Sequence, residues 1–148
     1  MALKGLVGKL SAKITDSLSG GGRGPWQPAA GPFPRLISID EAVHKSLKGK
    51  SGLLVLWHRG VRPQWIFAGY AADLSAILAA AQDDDDVGLY DLNDGVYAAW
   101  ALLPVAQCPG AVAYLRGVLE PALTETPLAA FGPVADGAKP VEVHLPAD

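Results

Sequence analysis

Gly52-Leu-Leu-Val-Leu-Trp57 has no polar side chain, and that run constrains the chain more than any other. A strand with one wet face alternates apolar and polar residues, whereas consecutive apolar residues belong to a strand buried on both faces. His58-Arg-Gly-Val-Arg-Pro63 follows with turn chemistry, and Gln64-Trp-Ile-Phe-Ala-Gly69 is a second strand-like run. The two runs predict a β-hairpin. Val96–Val105 is a third apolar strand.

Helical periodicity lies around these strands. Glu41–Leu47 is a short helix capped by Ser38 or Asp40, and Ala72–Gln82 places Leu74, Ile77, Leu78 and Ala81 on one face. Pro109 fits the first turn of a last helix, whose apolar face is Ala111, Tyr114, Leu115, Val118 and Leu119 and whose end is set by Pro121. Arg35–Ile39 alternates weakly as a short strand. Asp83–Asp86, at the end of the preceding helix, reads as a solvated turn, Asp91–Gly95 as a further turn, and Val141–Leu145 as a strand-like run able to join a sheet edge. The expected fold is α/β of the α+β type: a small three-stranded sheet with flanking helices.

The front of the chain differs. Leu3, Leu6, Val7, Leu10, Ile14 and Leu18 fall within roughly a 120° stripe at helical spacing, with Lys4, Lys9 and Lys13 off it. Through residue 24, four positive side chains stand against Asp16, a net of +3 in a chain whose total is −3. Gly5 and Gly8 each cost about 1 kcal/mol relative to alanine, so this helix needs a surface to fold on. The Gly/Pro-rich stretch 19–34 reads as a linker in which Trp26 and Phe33 either pack back or await a partner. The expected organisation is helix 1–18, linker 19–34, α/β domain 35–124 and tail 125–148.

Composition narrows the function classes. A net charge of −3 argues against a surface that grips nucleic acid throughout. Lys48, Lys50, Arg59 and Arg62 are positioned to form one modest anion patch at an end of the hairpin. The single Cys108 excludes an internal disulfide framework, and His44, His58 and His144 show no metal-ligand spacing. No cofactor, metal or small-molecule substrate is implied. Residues 1–20 lack a signal-peptide apolar core and no run approaches the ~20 residues of a membrane span, so the expected compartment is cytoplasmic.

Gly52-Leu53-Leu54, then Phe67-Ala68-Gly69, then Ala72-Asp73-Leu74 opening a helix, resembles the GIY-YIG nuclease family over residues 51–124. The resemblance implies a metal-dependent phosphodiesterase site built from two tyrosines, a helical arginine, a glutamate on the last helix and a following asparagine. At the matching positions this chain has Leu54, Phe67, Ile77, Val112 and Thr124. None of the first four can bind a metal, supply charge or shuttle a proton. The expectation is a non-catalytic module that docks a protein partner through residues 1–18. Alternatives are a divergent nuclease or nucleic-acid-binding protein, and an adaptor on an anionic membrane surface.

Overall fold

The computed structural model describes residues 24–29, 31–59, 64–92, 94–124, 126–135 and 137–146. The predicted helix 1–18, with all its stripe and lysine residues, lies outside them, as does Arg62. Three strands, β1 (Gly52–His58), β2 (Gln64–Ala71) and β3 (Val96–Leu102), form one antiparallel sheet in the order β2-β1-β3. The apolar run is therefore the central strand. Leu53 and Val55 point into one core layer and Leu54 and Leu56 into the other, and all four are fully buried. Burying a leucine stabilises by about 1.5–3 kcal/mol, so this strand anchors both layers.

One layer is roofed by α1 (Glu41–Leu47), α2 (Leu74–Asp83) and α3 (Asp85–Asp91). Asp40 caps α1 by accepting from Val43 N–H at 3.2 Å. Asp73 caps α2, and the same carboxylate oxygen accepts from Ser75 N–H and Gly49 N–H, which ties the Lys48–Lys50 turn to the helix start. The other layer is roofed by α4 (Cys108–Leu119), with Pro109 in its first turn and Glu120 closing it in the left-handed region.

Four segments depart from expectation. Arg35–Ile39 is no strand: Leu36–Ser38 form a 3-10 turn, because the buried pair Leu36 and Ile39 is spaced by three. Asp83–Asp86 is not a single turn, since Asp84 ends α2 and its side chain accepts from Val87 N–H at 3.0 Å to start α3. Val141–Leu145 forms no strand, although Val143 is buried in the α4 layer. The third strand stops at Leu102, and Val105–Gln107 make a 3-10 turn before α4.

Packing also extends past both expected boundaries of the 35–124 unit. Trp26 and Phe33 take the first of their two alternatives and are buried in the α4 layer. Gln27 exchanges backbone hydrogen bonds with Trp100, Ala98 N–H donates to Pro34 O and Arg35 bridges Tyr97, so Gln27, Pro34 and Arg35 cover the outer edge of β3. Leu123 N–H to Ile66 O, Ala122 N–H to Trp65 O and Arg116 Nε–H to Ala68 O cover β2. Both sheet edges are thus occupied along much of their length, which blunts the usual route to strand-by-strand aggregation.

Candidate functional site

A shared phosphodiesterase site requires its residues to converge, and the five matching positions do not. Leu54, Phe67 and Ile77 pack together in the α2 layer, each essentially without solvent access. Val112 is buried in the α4 layer on the opposite face of the sheet, and Thr124 is exposed. The alternation of β1 separates them: Leu54 faces away from α4. The glycine landmarks also have local causes. A Cβ at Gly52 would collide with the carbonyl oxygen of Ala101, and one at Gly69 with the ring of Phe67.

Among the described basic residues, Lys48 and Lys50 do not gather with Arg59 either. Lys48 and Lys50 precede β1 and Arg59 follows it, so a seven-residue strand, roughly 23 Å long, separates them. Asp73 binds the turn that carries the lysines. Arg59 lies over the Tyr97 ring, 4.6 Å from its centroid. Tyr97 is stacked on Trp57, which meets Trp65 and Phe33 edge-on at 5.5 and 5.3 Å. Register explains the strip: Trp57 is opposite both Trp65 and Tyr97. Trp57, Trp65 and Tyr97 are half-buried, whereas Trp100 is buried.

Sequence reasoning missed one polar constellation. Gln82 donates its amide N–H groups to Leu36 O and Ile39 O, at 2.9 and 3.1 Å. That orientation turns Oε1 toward His44 Nε2 at 3.1 Å, so Nε2 carries the proton and Nδ1 faces Ser75 Oγ at 3.5 Å with its lone pair. Hydroxyl, imidazole and orienting amide stand in the order of a hydrolytic triad. An oxyanion hole is what they lack. The N–H groups of Leu74, Ser75, Ala76 and Ile77 at the start of α2 already donate, to Lys50 O, Asp73 Oδ1 and, for the last two, Asp73 O. The network is a strut joining α1, α2 and the 36–38 turn. Its members are 38 and 31 residues apart, and nothing in the linear spacing marks them.

The remaining reactive groups are structural in placement. Cys108 is buried, its thiol pushed up to about 12 by burial, with Sγ near Leu103 O and Pro104 O. His58 is buried with its ring 5.3 Å from Tyr90. The exposed His144 accepts from Trp26 Nε1–H through its carbonyl, at 2.5 Å. Arg116 is half-buried, and burial pushes its guanidinium down; Nε–H reaches Ala68 O at 3.1 Å. Among the described residues no three His, Cys, Asp or Glu side chains are placed to hold a metal ion, and no helix is long and apolar enough to cross a membrane. No family model, curated protein or solved structure matches this chain.

Proposed function

We propose that this chain is a non-catalytic interaction module, an α/β domain whose element order resembles a GIY-YIG domain but whose matched positions build no shared site, recruited to a larger assembly through residues 1–18. One observation carries the reading: the positions where the related chemistry would reside are core positions, filled by Leu54, Phe67, Ile77 and Val112. Changing them to tyrosine, arginine or glutamate would overpack the interior or bury a charge, so those side chains serve stability. The apolar stripe with lysines beside it supports docking, because an amphipathic helix with two glycines gains its order from the surface it meets.

The burial of Trp26 and Phe33 shortens the tether. Packing begins at Gly24, which leaves residues 19–23 as the spacer outside the described residues. Full-length and Δ1–18 chains, each used as bait in native host extract, test the reading. The deletion is expected to abolish partner capture while leaving the far-ultraviolet circular dichroism of the domain intact. Unfolding on deletion would make residues 1–18 part of the core and end the docking claim. Metal-dependent cleavage of DNA or RNA by the purified chain, lost on substitution of Tyr70, Arg59 or Glu120, would overturn its non-catalytic character. Capture by anionic liposomes in place of protein would transfer the helix to a membrane.

A further inference from the structure

Asp85, Gly88, Leu89 and Leu92 follow one another at spacings of three, one and three, so they share one face of α3 and its C-cap. The other side of the helix is engaged: Val87 is buried, Tyr90 lies against His58, and Asp91 is clasped by Arg35 at 2.9 Å. The shared face is open. Leu89 is 64% and Leu92 80% exposed, two large apolar side chains together on the solvent side of the helix. Ile37, also exposed, is on the 3-10 turn that follows Arg35. Asp85 and Asp86 open the same helix, Asp83 and Asp94 flank it in sequence, all four are exposed, and among the described residues none of them forms an ion pair.

Gly88 adds a second sign. A Cβ there would meet nothing within 4 Å, so the fold has no steric need for glycine, yet glycine costs a helix about 1 kcal/mol relative to alanine. A smooth point beside two exposed leucines lets another backbone approach closely. Exposed leucines on a helix that opens with and is flanked by carboxylates are complementary to an apolar stripe flanked by ammonium groups. Residues 1–18 are such a segment, with Lys4, Lys9 and Lys13 beside Leu3, Leu6, Val7, Leu10, Ile14 and Leu18.

We propose that the outward face of α3 is the receptor for residues 1–18 of a second copy of this chain. This rests on the docking reading above and names its partner. Attachment favours the second copy over the chain's own helix. From Leu18 to Gly24 the chain has six Cα–Cα steps and reaches at most about 22 Å. Gly24 lies against His144 on the α4 side, three residues before Gln27, which pairs with Trp100. α3 is clamped at the opposite end of β3, where Asp91 binds Val96 N–H, and on the opposite face of the sheet. A helix docking on its own domain would have to pass to the other face of the sheet round the edge where Gln27, Pro34 and Arg35 meet β3. Two copies exchanging helices reciprocally form a closed two-fold dimer.

The test uses full-length protein in sedimentation velocity across a dilution series. One variant reverses the helix (Lys4→Glu, Lys9→Glu, Lys13→Glu) and a second reverses the receptor (Asp83→Lys, Asp85→Lys, Asp86→Lys). A third, Leu89→Ser with Leu92→Ser, leaves the charges in place and removes only exposed side chains. Wild type is expected to dimerise and to weaken as salt rises. The serine variant is expected to weaken association by about tenfold or more. Each charge-reversed variant is expected to be monomeric alone, and their equimolar mixture to form a one-to-one heterodimer, because each supplies the face the other's helix needs. A wild type that stays monomeric throughout, or a mixture that stays monomeric, overturns the proposal; so does a serine variant that dimerises like wild type. If self-association is absent while Δ1–18 still loses capture from host extract, only this inference falls. If Δ1–18 retains capture, the docking reading falls beneath it.

Discussion

A methyl group at Gly52 would be driven into the carbonyl of Ala101 across the β1–β3 ladder, and backbone cannot step aside as a side-chain tip can. Gly52→Ala is therefore expected to destabilise by roughly 2–4 kcal/mol, in the range of severe core substitutions, read as a lower urea midpoint with unchanged slope. Asp91 works in the opposite direction, as a source of pH-dependent stability. Its hydrogen bond from Arg35 holds its carboxyl below the usual range, Val96 N–H at 2.8 Å adds to this, and burial opposes. A carboxyl lowered in the folded state contributes fully above the ordinary value near ~3.9 and loses that contribution as pH falls through the folded value. The Arg35 side chain is 42% exposed, so salt screens that partner; the bond to Val96 N–H is the less screened part. Urea unfolding of wild type and Asp91→Asn should then differ by a constant amount above about pH 5 and converge in more acid solution. A gap that widened on acidification would reverse the sign.

Which elements could be read in advance depended on how much of each element's logic is local. The central strand, the hairpin and α4 were legible because burial on both faces, turn residues and a proline-led helix leave marks within ten residues. The turn Leu36–Ser38 was misread because the same five-residue window also holds Ile37 and Ile39 two apart, the spacing of a strand, although the buried pair is Leu36 and Ile39. α3 was hidden by its own cap: Asp84 ends one helix and begins the next, and the aspartates after it suit a positive helix N-terminus as well as a solvated loop. An acidic first turn behind a capping aspartate was the available signal. The tail had none, because Val141–Leu145 is held by contacts distant in sequence: Val141 N–H to Gly110 O, Val143 among the α4 layer, and the His144 carbonyl on the Trp26 indole. Truncation after Ala138 removes all three. Loss of Val143 burial and an orphaned indole N–H together predict a cost of about 3–5 kcal/mol, with Trp26 fluorescence shifting to the red. Unchanged stability and emission would mean the tail is ornament.

At the scale of the molecule, the sheet is a partition with a core on each side, and groups the sequence invited us to combine are separated by it. The Leu54 and Val112 positions face opposite layers, the lysines and Arg59 stand at opposite ends of β1, and the strand alternation that builds the fold is the reason. Candidate-site positions were legible one by one, whereas their failure to converge was not, since convergence is a property of the closed sheet. Cys108 offers a reporter of that closure. It has no solvent access and burial pushes its thiol up to about 12, so at neutral pH a thiol reagent must wait for the α4 layer to open. When opening is fast relative to reaction, the labelling rate follows the opening equilibrium, and each ~1.4 kcal/mol lost accelerates it about tenfold. Truncation after Ala138 should raise the rate about a hundredfold or more. Gly52→Ala should raise it by a factor matching its measured loss in urea, because β1 supports both layers. Leu89→Ser with Leu92→Ser, at concentrations where wild type is monomeric, should leave it unchanged, because that face takes no part in closing the core. If Cys108 in the truncated chain labels no faster than in the intact one, the tail does not seal the α4 layer, and the cooperative coupling of its three contacts is wrong.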